Sequence, residues 1–147
     1  MKLTQNKLST LFNQWLIAWN NHNLDGVMSL LHDDIVFENW NGEVFQGKGA
    51  LRKGWIPWFI NHGNFKFISE ATFFDESTQK MVFMWRIQWP SLLEEYKGKI
   101  EVRRGVDILY YADKKIIGKY TYSKTTITID GNEIFPEHYP TKERGPL

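Results

Sequence analysis

The chain contains no cysteine, which removes disulfides, thiolate nucleophiles and sulfur-ligated zinc as sources of stability or chemistry. It also lacks any apolar run long enough to span a bilayer. Residues 1–6 are polar, without the basic flank, apolar stretch and small-residue cleavage site of a secretory signal. A reducing cytoplasm is therefore the expected location. No charge of one sign dominates: 18 Lys and Arg against 17 Asp and Glu leave a net charge of +1, and the basic residues are scattered. Neither a nucleic-acid nor a membrane partner is expected from such a balance. His22, His32, His62 and His138 fit no paired helical spacing, so no metal site is expected. Gly47-Lys48-Gly49 lacks the spacing and terminal Ser or Thr of a phosphate loop, and no nucleophile elbow or dinucleotide fingerprint occurs. No cofactor is expected.

What the chain does have is aromatic side chains: 16% of its residues, seven of them Trp. Rings of this size either fill a core or line a cavity. A length of 147 residues suits one domain over 1–147. Within it, Leu8, Leu11, Phe12, Trp15, Leu16 and Trp19 recur at helical spacing and predict a helix over 4–20. Asn23 or Asp25 can cap a short second helix carrying Leu24, Val27, Leu30 and Leu31. The β-rich run 35–40 ends at Asn41-Gly42, a strong hairpin-turn signal, and Val44 and Phe45 return from it. A third helical stretch follows through Leu51, Trp55 and Phe59, with Gly54 and Pro57 expected to kink or shorten it.

From residue 64 the period becomes that of strands, at 65–75, 80–89, 99–111 and 115–129, separated by polar turns at 76–79 and 112–114 and by a longer connection after Pro90. Helices first and an antiparallel meander afterwards indicate α+β architecture. Residues 131–147, with Pro136, Pro140 and Pro146, read as an irregular tail. On the strand 80–89, Arg86 and Gln88 alternate with Trp85, Ile87 and Trp89, so one face is apolar and the other polar; which of them looks inward stays open. Arg103 and Arg104 are adjacent and must point to opposite faces.

Three stretches, WLIAWNNHNLDGVMSLL (15–31), DDIVFENWNGEVFQGKGALR (33–52) and RGVDILYYADKKIIGKYTYSK (104–124), resemble in order and spacing the SnoaL-like, nuclear-transport-factor-2-like superfamily of ketosteroid isomerases, limonene epoxide hydrolases and polyketide cyclases. The resemblance implies a cone of about three N-terminal helices on a strongly curved, mainly antiparallel sheet that encloses a pocket. It also implies a homodimer joined through sheet faces. Asp107 matches the aspartate that donates to the enolate oxygen in the isomerases. Trp15 stands in the place of their tyrosine, and Asn39 in that of their base. In the epoxide hydrolase pattern Asn39 positions a water and Arg86 holds carboxylates, but the two acids fall on Gln88 and Thr121. A cyclase asks chiefly for one acid, which Asp107 supplies.

An aspartate on the apolar face of a sheet is expected to have a raised pKa from desolvation, or else to pair with Arg103 or Arg86. The candidate catalytic residues are thus Asp107 and Asn39. Trp15, Trp19, Phe37, Trp55, Phe59, Arg86, Gln88 and Arg103 are the candidate contacts to a small hydrophobic or aromatic molecule. Two functions fit: a cofactor-independent isomerase or cyclase acting on a hydrophobic carbonyl compound, or a non-catalytic binding protein. A third reading, a dimeric interaction module with a filled interior, needs no pocket.

Overall fold

The computed structural model describes residues 2–135. Helix α1 (Gln5–Asn20) begins at Thr4, whose hydroxyl accepts from the Lys7 amide, and buries Leu8, Phe12, Trp15 and Trp19 along one stripe. It stops where Asn20 turns its amide onto the backbone of Phe67, accepting from Phe67 N at 2.8 Å and donating to Phe67 O at 3.0 Å. Asn23 caps α2 (Leu24–Ser29) through the Gly26 amide, as its position suggests. Helix α3 (Lys48–Asn61) runs through Gly54 and Pro57 to Asn61, so they do not shorten it. Gly54 is needed because a Cβ there would sit 2.5 Å from the Phe45 ring, so its absence lets Phe45 lie against the helix. No helix among the described residues is long and apolar enough to cross a membrane.

The sheet has the order β2-β1-β6-β5-β4-β3, formed by β1 (Leu31–Glu38), β2 (Val44–Gln46), β3 (Lys66–Asp75), β4 (Lys80–Pro90), β5 (Ile100–Ala112) and β6 (Lys115–Ser123). Every pairing along it is antiparallel except β1 with β6, which is parallel. The Asn41-Gly42 turn forms as expected: Asn39 N reaches Glu43 O at 2.8 Å and Gly42 has φ 87°. Two expectations need correction. The run 115–129 is not one strand but β6 and, after a break, β7 (Ile127–Ile129). Residues 132–134 are not irregular: Asp130 and Gly131, both at positive φ, turn the chain into β8 (Asn132–Ile134), which pairs with β7. Pro136, Pro140, Pro146 and His138 lie outside the described residues.

Alternation then decides what meets the helices. Trp85, Ile87 and Trp89 are buried while Arg86 is exposed, so the aromatic face of β4 looks inward. Gly105 makes room for this: a Cβ there would fall 2.5 Å from the Trp85 indole and 2.3 Å from Tyr122 O. On β6 the alternation is broken. Tyr110 pairs with Gly118 but Tyr111 with Ile116, leaving Ile117 as an extra, bulged residue. The bulge shifts the phase, so that Lys119 and Thr121 follow Ile116 onto the buried side. Between the helices and this inner face lie the fully buried Trp15, Trp19, Trp55, Trp58 and Trp85. Burial of one such large ring is worth roughly 2–3 kcal/mol.

Candidate interior acid–base site

Asp107 on β5 stands opposite Thr121 on β6 and Phe83 on β4, with only 2% of its surface exposed. The Thr121 hydroxyl donates to Asp107 Oδ1 at 2.7 Å, and Lys119 Nζ donates to Thr121 Oγ1 at 2.7 Å. Lys119 Nζ also lies 3.3 Å from Asp107 Oδ1 and 4.4 Å from the centre of the Phe37 ring. Neither Arg103 nor Arg86 is the partner the sequence suggested for Asp107; that role falls to Lys119. A buried cation, hydroxyl and carboxylate are thereby linked in one line among rings.

Burial pushes the Lys119 ammonium below its usual 10.5, and the nearby Asp107 carboxylate opposes this without cancelling it. The folded chain therefore holds that proton less tightly than the unfolded chain does. Stability rises with pH wherever the unfolded state binds more protons, so the penalty from Lys119 is relieved as pH climbs toward 10.5. Urea unfolding at several alkaline pH values should show wild type gaining on Lys119→Met over that range. A gap independent of pH would contradict this. The Tyr111 phenol, pushed up by burial, acts in the opposite sense above its ordinary value of 10. It is common to both chains and cancels in the comparison.

Beside the pair is a cavity of about 10 Å³ lined by Trp15, Leu16, Trp19, Phe67, Phe83, Asp107 and Lys119. That space suits one water molecule. Among the described residues, the cavity that Asp107 lines is smaller than the ligand-sized room expected there, because the indoles of α1 and α3 pack beside it: Trp19 lies 4.9 Å from Trp55 and 5.7 Å from Trp15.

The candidate residues do not all gather at one place. Trp15, Trp19, Phe37 and Trp55 gather around Asp107 and Lys119. Phe59 stacks on Trp19 at 4.9 Å without lining the cavity. Farther along β5, Arg103 is buried with its guanidinium over Trp40 at 4.8 Å and Trp89 at 5.2 Å, and 3.5 Å from Glu101. Glu101 in turn accepts from Ser91 at 2.8 Å. Asn39 is buried just past the end of β1. Arg86 is exposed on the outer face and Gln88, half-buried, shares that face, so neither joins Asp107. Lys119 and Glu101 were not singled out from the sequence. Alternation counted back from Thr121 would have found the first, since residues 119 and 121 must share a face.

A model of the SnoaL-like domain matches residues 12–118. The chain belongs to the SnoaL-like family. No curated protein matches it in sequence. Solved structures similar to this SnoaL-like domain include an NTF2-like protein of unknown function from Mesorhizobium loti, at 19% identity and TM-score 0.65, covering 81% of this chain and 92% of that one. The Δ5-3-ketosteroid isomerase of a Mycobacterium species is 19% identical, with TM-score 0.65 over 84% of this chain and 98% of its own. A candidate polyketide cyclase from Xanthomonas campestris is 12% identical, with TM-score 0.68 over 82% and 92%. At such identities the likeness is one of fold, and an NTF2-like fold is what these structures share with the SnoaL-like chain.

On its outer face the SnoaL-like sheet carries a groove of about 370 Å³ lined by Glu70, Met84, Arg104, Val106, Tyr122 and Lys124, among others. Arg104 grips both carboxylate oxygens of Glu70, at 3.0 and 2.9 Å, and holds that carboxyl below its ordinary value. Arg103 and Arg104 do point to opposite faces, one buried and one exposed.

Proposed function

We propose that this SnoaL-like protein acts on a small hydrophobic or aromatic carbonyl compound by cofactor-independent proton transfer, of the isomerase or cyclase kind, with Asp107 carrying the proton. The observation that supports this most is the buried line from Lys119 through Thr121 to Asp107 opening on an aromatic-walled cavity. Buried ion pairs add little to stability over an apolar replacement, whereas ionisable groups held in apolar surroundings concentrate where chemistry is done. In this reading the Asp107 carboxylate takes a proton from the carbon next to the carbonyl and returns it elsewhere, while Thr121 and Lys119 balance its changing charge. Entry requires the α1 indoles to move outward, because the resting cavity holds about one water.

Deuterium exchange next to the carbonyl of a panel of cyclic ketones, followed by NMR, tests the assignment. Wild type should exchange a responsive ketone roughly 100-fold faster than Asp107→Asn, the lower range for positioned acid–base catalysis. Equal rates with a folded variant would remove Asp107 from the role.

A second reading is favoured by Asn39, whose amide accepts no proton where the isomerases have a carboxylate base: the same interior serves only to bind. Its signature is a ligand that raises the melting temperature and is recovered unchanged. Pairing of two copies through the outer sheet face also belongs to this proposal. The exposed Phe73, Met84 and Tyr122 on that face support it.

A further inference from the structure

Lys119 does more in this geometry than neutralise Asp107. We propose that its Nζ is an amine nucleophile that condenses with small neutral aldehydes to form an imine, with Asp107 as the proton carrier. The inference goes beyond the proton-transfer reading and stands without it, because its product is read on the protein itself.

Three observations carry it. The Ile117 bulge turns Lys119 inward, and its side chain is only 3% exposed among aromatic rings. Lys119 and Asp107, with Nζ and Oδ1 3.3 Å apart, line the same cavity, whose other lining residues are apolar: Trp15, Leu16, Trp19, Phe67 and Phe83. The resting volume, about 10 Å³, holds about one water, so only the smallest carbonyl compounds come near it without large rearrangement. Aldehydes of one or two carbons need the least displacement of the indoles. An anionic aldehyde would meet a cation already balanced by Asp107. Desolvation lowers the basicity of Lys119 and so enlarges the share of free amine near neutrality, the usual means of activating a lysine.

The step balances as follows. The ammonium proton passes through the Thr121 hydroxyl to Asp107, leaving a neutral amine and a neutral carboxyl. The nitrogen lone pair forms the C–N bond as the carbonyl π pair moves to oxygen, which takes the carboxyl proton. The nitrogen returns one proton to Asp107; the hydroxyl takes it and leaves as water. The result is an iminium paired with the Asp107 carboxylate, with the net charge unchanged.

The test uses the native full-length protein, acetaldehyde and sodium cyanoborohydride, which delivers hydride to an iminium and leaves an N-ethyl lysine. Peptide mass spectrometry then compares sites at about pH 6.5, where exposed lysines are almost wholly protonated. Lys119 should be ethylated at least about tenfold faster than the exposed Lys66, Lys97 and Lys114. The preference should vanish in urea, and Thr121→Val should slow labelling at Lys119 alone. Labelling of Lys119 no faster than the exposed lysines overturns the proposal. So does a preference that survives unfolding, since the local sequence would then be its cause. An unchanged rate in a folded Thr121→Val removes the relay.

Discussion

Lys119→Met should lower the unfolding free energy by about 3–5 kcal/mol, the typical cost of removing one partner from a buried ion pair. The loss arises less from the missing attraction than from what remains. Asp107, 2% exposed and walled by rings, would keep a carboxylate with the Thr121 hydroxyl as its close donor among the described residues. Asp107→Asn should cost a similar amount, because Lys119 then loses the carboxylate that lies 3.3 Å from its Nζ. The double variant should be far less damaged than the sum of the two, with most of either single loss recovered, because no buried charge is then left unbalanced. Urea unfolding of the four chains measures this. Additive losses would mean that the two side chains, 3.3 Å apart, do not function as a pair.

Trp19→Ala should produce a loss of the same order, about 3–5 kcal/mol, through a different cause. Trp19 touches five other rings: Trp15, Trp55, Phe59, Phe65 and Phe67, at centroid distances from 4.9 to 6.2 Å. Its removal enlarges the cavity that Asp107 and Lys119 line, since Trp19 is one of its walls. For a domain of this size the melting temperature should fall by roughly 10 °C. Added indole should restore part of it by occupying the vacated space, an effect absent in wild type. A fall of only a degree or two would show that the ring is not a keystone of the interior. Rescue by indole would in addition demonstrate that the space between α1 and the sheet accepts an aromatic guest once a single indole is gone.

Much of this architecture could be read from residue pattern. The stripe from Leu8 to Trp19, the Asn23 cap, the Asn41-Gly42 turn and the strands on either side of residues 76–79 are local matters of periodicity and turn chemistry, and they form where expected. The α+β class followed from their order, and the family from three stretches within residues 15–124. Asp107 was singled out by its match to the family's aspartate and not by period, because Val106, Ile108 and Tyr110 make the opposite face of β5 equally apolar. Where local signals failed, a distant contact was responsible. Gly54 and Pro57 did not break α3 because Trp55 and Trp58 anchor it in the core and because Phe45 fills the space a side chain at 54 would need.

Composition and period by themselves determined the elements and the absence of thiol chemistry, and the resemblance to the family pointed to Asp107. Three things were decided only by the tertiary structure: which face of β4 looks inward, which cation meets Asp107, and how much room remains beside it. Each depends on a register or a packing distance between segments remote in sequence. The bulge at Ile117 reverses the alternation of β6 and brings Lys119 to Asp107, and the meeting of α1 with α3 leaves space for one water where a larger guest was expected. A strand's periodicity specifies two faces but not which of them another segment will cover, and no local pattern measures the gap left between them.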